Sequence, residues 1–189
     1  MKNNLYRYPQ QAVLRDGRRV TLRPFANADV PALHEFFLRL PHDLRSFAWD
    51  RIESRSTVDT WGANIDYAKV FPLLALDGSK VVADATLHRR DHGPLRLVGR
   101  LRWLIDPEFR AVGLGSILVN QLIDSARANG LRHVSCLLIR DLEADAIETL
   151  AGLGFDARHL TGYGTDLDGG EHDMSLLVLR LNGAGAGGH

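Results

Sequence analysis

Leu101-Arg-Trp-Leu-Ile105 has the apolar character of a strand, and it ends directly on Asp106-Pro-Glu-Phe-Arg110 and Ala111-Val-Gly-Leu-Gly115. From Gly113 to Asn129 the residues Leu114, Ile117, Leu118, Leu122 and Ala126 recur at helical spacing, and Gly130 follows as a stop. Nothing else in the chain limits its fold as much, because a strand must turn sharply into a long helix with no room for a linker. A helix that starts in this way presents unpaired backbone N–H groups and partial positive charge, so glycines at the turn let an anion approach. A tight turn without a ligand also uses glycine, and the spacing alone leaves both readings open. A P-loop does not fit, since Gly115 is followed by Ser116 and no lysine. The dinucleotide fingerprint does not fit either, since its third glycine would fall on Leu118.

The rest of the chain surrounds this corner with strands and shorter helices. Arg19-Val-Thr-Leu-Arg23 alternates as a strand, and Asn27-Ala-Asp29 offers caps for a helix over Val30 to Leu40 that Pro41 should stop. A second helical piece is expected from Leu44, while Asp50 to Val58 has weak periodicity. Val70 to Leu76 and Val81 to His88 flank the turn Asp77-Gly-Ser-Lys80 and predict a hairpin. Leu95 to Ile105 then completes three antiparallel strands. After the long helix, Val134 to Ile139 reads as a central strand and Glu143 to Gly152 as a short helix with Ala146, Leu150 and Leu153 inward. Phe155 to Leu160 and Met174 to Leu181 are two last strands around a polar loop, Thr161 to Asp173. The expected fold is α/β in the mixed sense: one sheet with helices on its faces. Residues 1–182 form a single domain, and the Gly/Ala-rich tail 183–189 is too small to pack and is expected to be flexible.

Charge and composition narrow the function. Lysine plus arginine equals aspartate plus glutamate, 23 of each, so no net field recruits nucleic acid. The single cysteine, Cys136, permits no internal disulfide, and its apolar flanks read as core. The start of the chain lacks a secretory h-region and no apolar run approaches a membrane span, so the expected location is the cytoplasm, with no membrane partner.

Arg110-Ala-Val-Gly-Leu-Gly115 after a strand resembles the Arg/Gln-x-x-Gly-x-Gly/Ala signature of the GNAT superfamily of acyl-CoA-dependent N-acyltransferases. Asp106-Pro-Glu-Phe-Arg110 is similar to that family's lead-in, Leu153-Gly-Phe155 to the ending of its fourth helix, and Val20-Thr-Leu-Arg-Pro24 with Asn27-Ala-Asp29 to its opening. The resemblance spans about Arg19 to Leu181 and implies a central, mostly antiparallel sheet flanked by helices. It implies acetyl-CoA as cosubstrate, with no metal, and an amine acceptor that is a protein or a small molecule. It also implies that the corner holds the coenzyme pyrophosphate, through Arg110 and the backbone of Val112, Gly113, Leu114, Gly115 and Ser116, while backbone near Leu104 and Ile105 pairs with the pantetheine arm. Homodimers are common in the superfamily, but no sequence feature here marks an interface.

Acyl transfer from a thioester to an amine needs a base for the amine, a donor for the oxyanion and a proton for the departing thiolate. Many members of the superfamily take that proton from a tyrosine in the fourth helix. Counting back from Leu153 puts Leu150 at the tyrosine position and Glu143 at the position of the family's asparagine, so the usual acid is missing. Other groups offer themselves as catalytic candidates. Period two places Val82, Asp84, Thr86 and His88 on one face of their strand. Asp84 is a carboxylate in an apolar strand, to be read as base or amine ligand, or as an ion pair with Arg100 or Arg102. His88 is a base near neutral pH or a plain strand-end histidine. Tyr163 is a thiolate acid or a loop-packing tyrosine. Arg96, Arg100 and Arg102 share a face, as attractants for acidic groups or as a solvated surface. Trp49 and Trp61 fall in the variable region that helps to form the acceptor site in the superfamily, or are aromatic residues of the core. His172-Asp173 lacks a third ligand for a metal. A non-catalytic acyl-CoA-binding module stands as the alternative function.

Overall fold

The computed structural model describes residues 4–46, 48, 50–166 and 169–181. Trp49 and the tail 183–189 lie outside the described residues. The strands are β1 (Gln10–Val13), β2 (Arg19–Pro24), β3 (Val70–Asp77), β4 (Lys80–His88), β5 (Val98–Ile105), β6 (His133–Ile139), β7 (Asp156–Thr165) and β8 (Glu171–Arg180). The helices are α1 (Val30–Arg39), α2 (His42–Ser46), α3 (Arg55–Ala63), α4 (Leu114–Ala128) and α5 (Ala144–Gly152). The strands form one sheet in the order β1-β2-β3-β4-β5-β6-β8-β7. Every neighbouring pair is antiparallel except β5 and β6, which α4 connects as a crossover.

Two cores sit on the two faces of the sheet. Alternation along β3 sends Phe71, Leu73 and Ala75 to one and Leu74 and Leu76 to the other. The first core receives Leu114, Leu118 and Leu122 of α4 and Leu150 of α5. The second receives Leu33, Phe36 and Phe37 of α1 and Val58 of α3. Arg23 and Asp29 make a bidentate pair, and Asp29 also accepts the Ala26 N–H at 2.8 Å, fixing the entry into α1.

Several elements differ from the expectation. β1 was not foreseen, and it forms a hairpin with β2. The second helical piece starts at His42 rather than Leu44, and α3 occupies part of the weakly periodic stretch. β5 begins at Val98, so Arg96 lies in the turn before it and does not share the strand face of Arg100 and Arg102. The expected loop from Thr161 to Asp173 is mostly strand, since β7 runs to Thr165 and β8 starts at Glu171.

The most consequential difference is a bulge in β4. Leu76 pairs with Val81 whereas Ala75 pairs with Ala83, so Val82 is an extra residue. Strict alternation put Val82 beside Asp84, but the bulge turns Val82 into the α4 core and leaves Val81 on the Asp84 side. The freed carbonyls are used: Arg39 Nη2 donates to Val81 O at 2.7 Å and the Asp106 N–H to Val82 O at 2.9 Å.

Candidate active site

The parallel pair β5 and β6 runs together for only three residue pairs, Val98 with His133, Gly99 with Val134 and Arg100 with Ser135. Beyond them the strands separate, and among the described residues the β5–β6 ladder does not continue past Arg100. In the antiparallel ladder with β4, the Asp106–Val82 bond identifies the hydrogen-bonded pairs as those in step with Asp84–Leu104 and Thr86–Arg102. The backbone groups of Leu101, Trp103 and Ile105 therefore point away from β4 and into the gap. Of the two residues expected to offer backbone to a pantetheine arm, Ile105 faces the gap, whereas Leu104 turns its backbone to β4 and gives its side chain to the cavity wall.

At the open end of the gap stands the corner. Asp106 caps a short 3-10 turn over Pro107–Phe109 by accepting the Glu108 N–H at 3.1 Å, and Phe109 is buried beneath it. Ala111 has φ 58° and Gly113 φ 90°, so the chain passes twice through the left-handed region before α4 begins. The first helical bond runs from the Ile117 N–H to Gly113 O at 3.1 Å, which leaves the amides of Leu114, Gly115 and Ser116 without an intrahelical partner. A Cβ on Gly115 would stand 3.4 Å from Ile105 Cδ1, an ordinary contact, which shows how near the helix start lies to the end of β5.

The corner is braced by the β1–β2 loop, a contact across about a hundred residues of sequence that no local pattern announces. The Arg15 N–H donates to Val112 O at 3.0 Å, Arg18 Nη2 donates to Glu108 O at 2.7 Å, and the Arg18 guanidinium lies 3.9 Å from the centre of the Phe109 ring.

A cavity of about 700 Å³ occupies the gap and extends onto the α1–α3 face of the sheet. Its floor carries Asp84, Thr86 and His88 of β4 with Arg102 and Leu104 of β5; Phe37 and Trp61, in edge-to-face contact, form part of the roof; Leu138, Ile139 and Glu143 stand on the β6 side. Burial pushes the Asp84 carboxyl up from 3.8 to about 7, with the positive charge of Arg102 opposing the rise. Arg102 itself pairs with Asp50 at 3.5 Å. A carboxyl that titrates near neutrality and faces a cavity is a competent general base. His88 is held the other way: burial and the charges of Arg102 and Arg100 depress it to about 4, and its Nε2 lies 3.0 Å from Thr86 Oγ1. It is uncharged at neutral pH.

The remaining candidates separate. Tyr163 lies on β7 and is 65% exposed; its neighbours Gly164 and Thr165 reach the cavity wall. Leu150 is 1% exposed in the α4 core and does not line the cavity. Glu143 was identified only as a departure from the family pattern. Its Oε2 accepts the Ile139 N–H at 2.8 Å at the end of β6, and burial raises its carboxyl while the Ile139 N–H and the charge of Arg110 oppose the rise. Cys136 is buried and its thiol is pushed up to about 12 by burial and by Glu143, which makes it unreactive. His172 pairs with Asp166 at 3.0 Å, and Asp173 with His159 at 2.8 Å. Among the described residues no three His, Cys, Asp or Glu are placed to hold a metal, and no helix is long and apolar enough to cross a membrane.

Known proteins agree with this architecture. The profile of the Acetyltransferase (GNAT) family matches residues 32–155. The fold is similar to the GNAT domain of PAT from S. lividans, with TM-score 0.74 and 19% identity over 91% of this chain and 96% of that one. It is also similar to the ribosomal-protein-S5-alanine acetyltransferase from Vibrio fischeri, with TM-score 0.73 and 20% identity over 89% and 97% of the two chains. A third similar structure is yncA from Salmonella typhimurium, a putative acetyltransferase with its cofactor acetyl-CoA, with TM-score 0.71 and 20% identity over 89% and 96%. No curated protein matches the chain. With the motif at the corner, the separated strands and a matched segment covering more than half its length, the chain belongs to the GNAT acetyltransferase family.

Proposed function

We propose that the protein transfers an acetyl group from acetyl-CoA to a primary amine held on the α1–α3 face of the sheet, by direct attack and without a covalent enzyme intermediate. The observation that carries this reading is the placement of Asp84, a carboxyl poised near neutrality, on the wall of the cavity that fills the gap between β5 and β6. Arg110, the backbone of Val112 and Gly113 and the free amides of residues 114–116 hold the coenzyme's pyrophosphate; the exposed backbone of Trp103 and Ile105 pairs with the pantetheine arm. Acetyl-CoA bound there supplies the activated thioester.

The chain's own groups then divide the work. Asp84 accepts a proton from the attacking amine, which prepares the nitrogen lone pair. A backbone N–H of β5 facing the gap stabilises negative charge on the thioester oxygen as the carbon becomes tetrahedral. When the C–S bond breaks, the sulfur keeps the electron pair and takes a proton from Glu143 on the opposite wall. Glu143 suits this role better than Tyr163, whose side chain is mostly in solvent, and Leu150 has no proton to give. Phe37, Trp61 and Leu104 keep bulk water from competing for the acyl group.

The test is release of free thiol from acetyl-CoA in the presence of a panel of primary amines that includes peptides with free N-termini, peptide lysines and small aryl and alkyl amines. Thiol release that depends on an amine and is lost in Asp84→Asn supports the enzyme. Coenzyme binding with no thiol release for any amine favours a non-catalytic acyl-CoA-binding module, the reading that Leu150 at the family's tyrosine position would then support.

A further inference from the structure

Arg15 is exposed, and its side chain runs beside the Gly113 turn of the corner. A Cβ built on Gly113 would meet Arg15 Nε at 3.4 Å, Cγ at 3.5 Å and Cδ at 3.7 Å, so the stem and head of this arginine cover the glycine that opens α4. Its backbone is fixed in this place by the bond from its N–H to Val112 O. The acidic groups nearby are engaged elsewhere: Asp16 pairs with Arg18 at 2.6 Å, and Glu108 and Asp106 both approach Lys80. Among the described residues no carboxylate lies within ion-pairing distance of Arg15. An arginine without an acidic partner thus lies against Gly113, the residue that opens α4, beside a backbone that dips twice into the left-handed region.

We propose that Arg15 is a diphosphate-binding residue of the coenzyme site, closing over the pyrophosphate from the side opposite the α4 amides. The inference rests on the coenzyme-binding reading above and adds to it a charged group from the β1–β2 loop. Guanidinium presents a planar fork of donors that matches two phosphate oxygens at once, and helix amides supply the complementary donors from below. A Cβ at position 113 would meet the arginine only at ordinary contact distance, so it is the backbone angle that calls for glycine there.

Calorimetric titration of the full-length protein with coenzyme A, and with dephospho-coenzyme A, which keeps the diphosphate but lacks the 3′-phosphate, tests the proposal in the wild type, Arg15→Gln and Arg15→Lys. The exposed side chain makes none of the loop's hydrogen bonds, so Arg15→Gln should melt with the wild type. Loss of one charge-assisted contact weakens binding by about tenfold or more. The expected result is that loss for both ligands in Arg15→Gln, with a shallower dependence on salt, and partial recovery in Arg15→Lys. Equal affinities of Arg15→Gln and the wild type overturn the proposal. A loss seen with coenzyme A but not with dephospho-coenzyme A overturns the assignment to the diphosphate. If the wild type binds neither ligand, the coenzyme-binding reading itself falls, and the role of Arg15 with it.

Discussion

Replacing Asp84 with asparagine should stabilise the protein in alkaline solution while removing its activity. The wild-type carboxyl titrates near 3.8 in the unfolded chain and at about 7 in the fold. Below the lower value both states are protonated and the residue is neutral to stability. Between the two values the unfolded chain is ionised and the folded one is not, so each rise of one pH unit lowers the free energy of unfolding by about 1.4 kcal/mol. Above the higher value the cost stays at its full size of about 4 kcal/mol. Asparagine carries no such cost at any pH, although its amide has its own, pH-independent penalty for burial. The quantity to read is therefore the stability difference between Asp84→Asn and the wild type at two pH values. Urea unfolding at about pH 5 and about pH 9 should show the variant gaining about 3 kcal/mol on the wild type, an upper figure because water entering the cavity mouth relieves part of the desolvation. A difference constant to within about 0.5 kcal/mol would show that Asp84 ionises in the fold as it does in the unfolded chain, and Asp84 would not be a base poised by burial.

The same residue sets the pH dependence of the reaction: kcat/KM should rise with pH through about 7, and His88→Asn should leave that limb in place because His88 is already neutral, whereas a limb that moves in His88→Asn would transfer the base role to it. Glu143→Gln should lower kcat, because no carboxyl remains on that wall to protonate the sulfur; an unchanged kcat in a folded variant assigns the acid elsewhere. Restoring a tyrosine at position 150 should not help. Leu150 is 1% exposed in the core, so Leu150→Tyr should cost about 1–3 kcal/mol by overpacking and give no gain in thiol release. At the corner, Gly113→Ala should cost about 1–2 kcal/mol because φ there is 90°, while Gly115→Ala, whose backbone is helical, should change stability by less than about 0.5 kcal/mol in thermal or urea melts.

Parts of this site could be read from the sequence because local chemistry determined them. The Asp77-Gly78 turn between apolar runs gave the β3–β4 hairpin, and the apolar stripe after Gly113 gave α4 almost to the residue. Asp84 drew notice as a carboxylate in an apolar strand, and the fold puts it on the cavity wall. What escaped was either weakly patterned or set by distant contacts. α3 has only Val58 and Gly62 buried in its nine residues, too few to make a stripe. β7 is exposed along most of its length, so it lacks the alternation of a half-buried strand. The bulge at Val82 depends on the partner strand and on Arg39 and Asp106, none of which the local pattern of β4 contains. The positions of Arg15 over Gly113 and of Glu143 beside Ile139 follow from tertiary packing, and period counting within one element cannot reach them.

The central claim is that backbone amides along the gap and at the corner hold a coenzyme. Titrating isotopically labelled protein with acetyl-CoA while following each amide by NMR tests it directly. The account predicts the largest shifts at Trp103, Ile105 and Val112 through Ser116, with smaller ones at Asp84 and Glu143. No shift at any coenzyme concentration, or shifts confined to another face of the sheet, would contradict it.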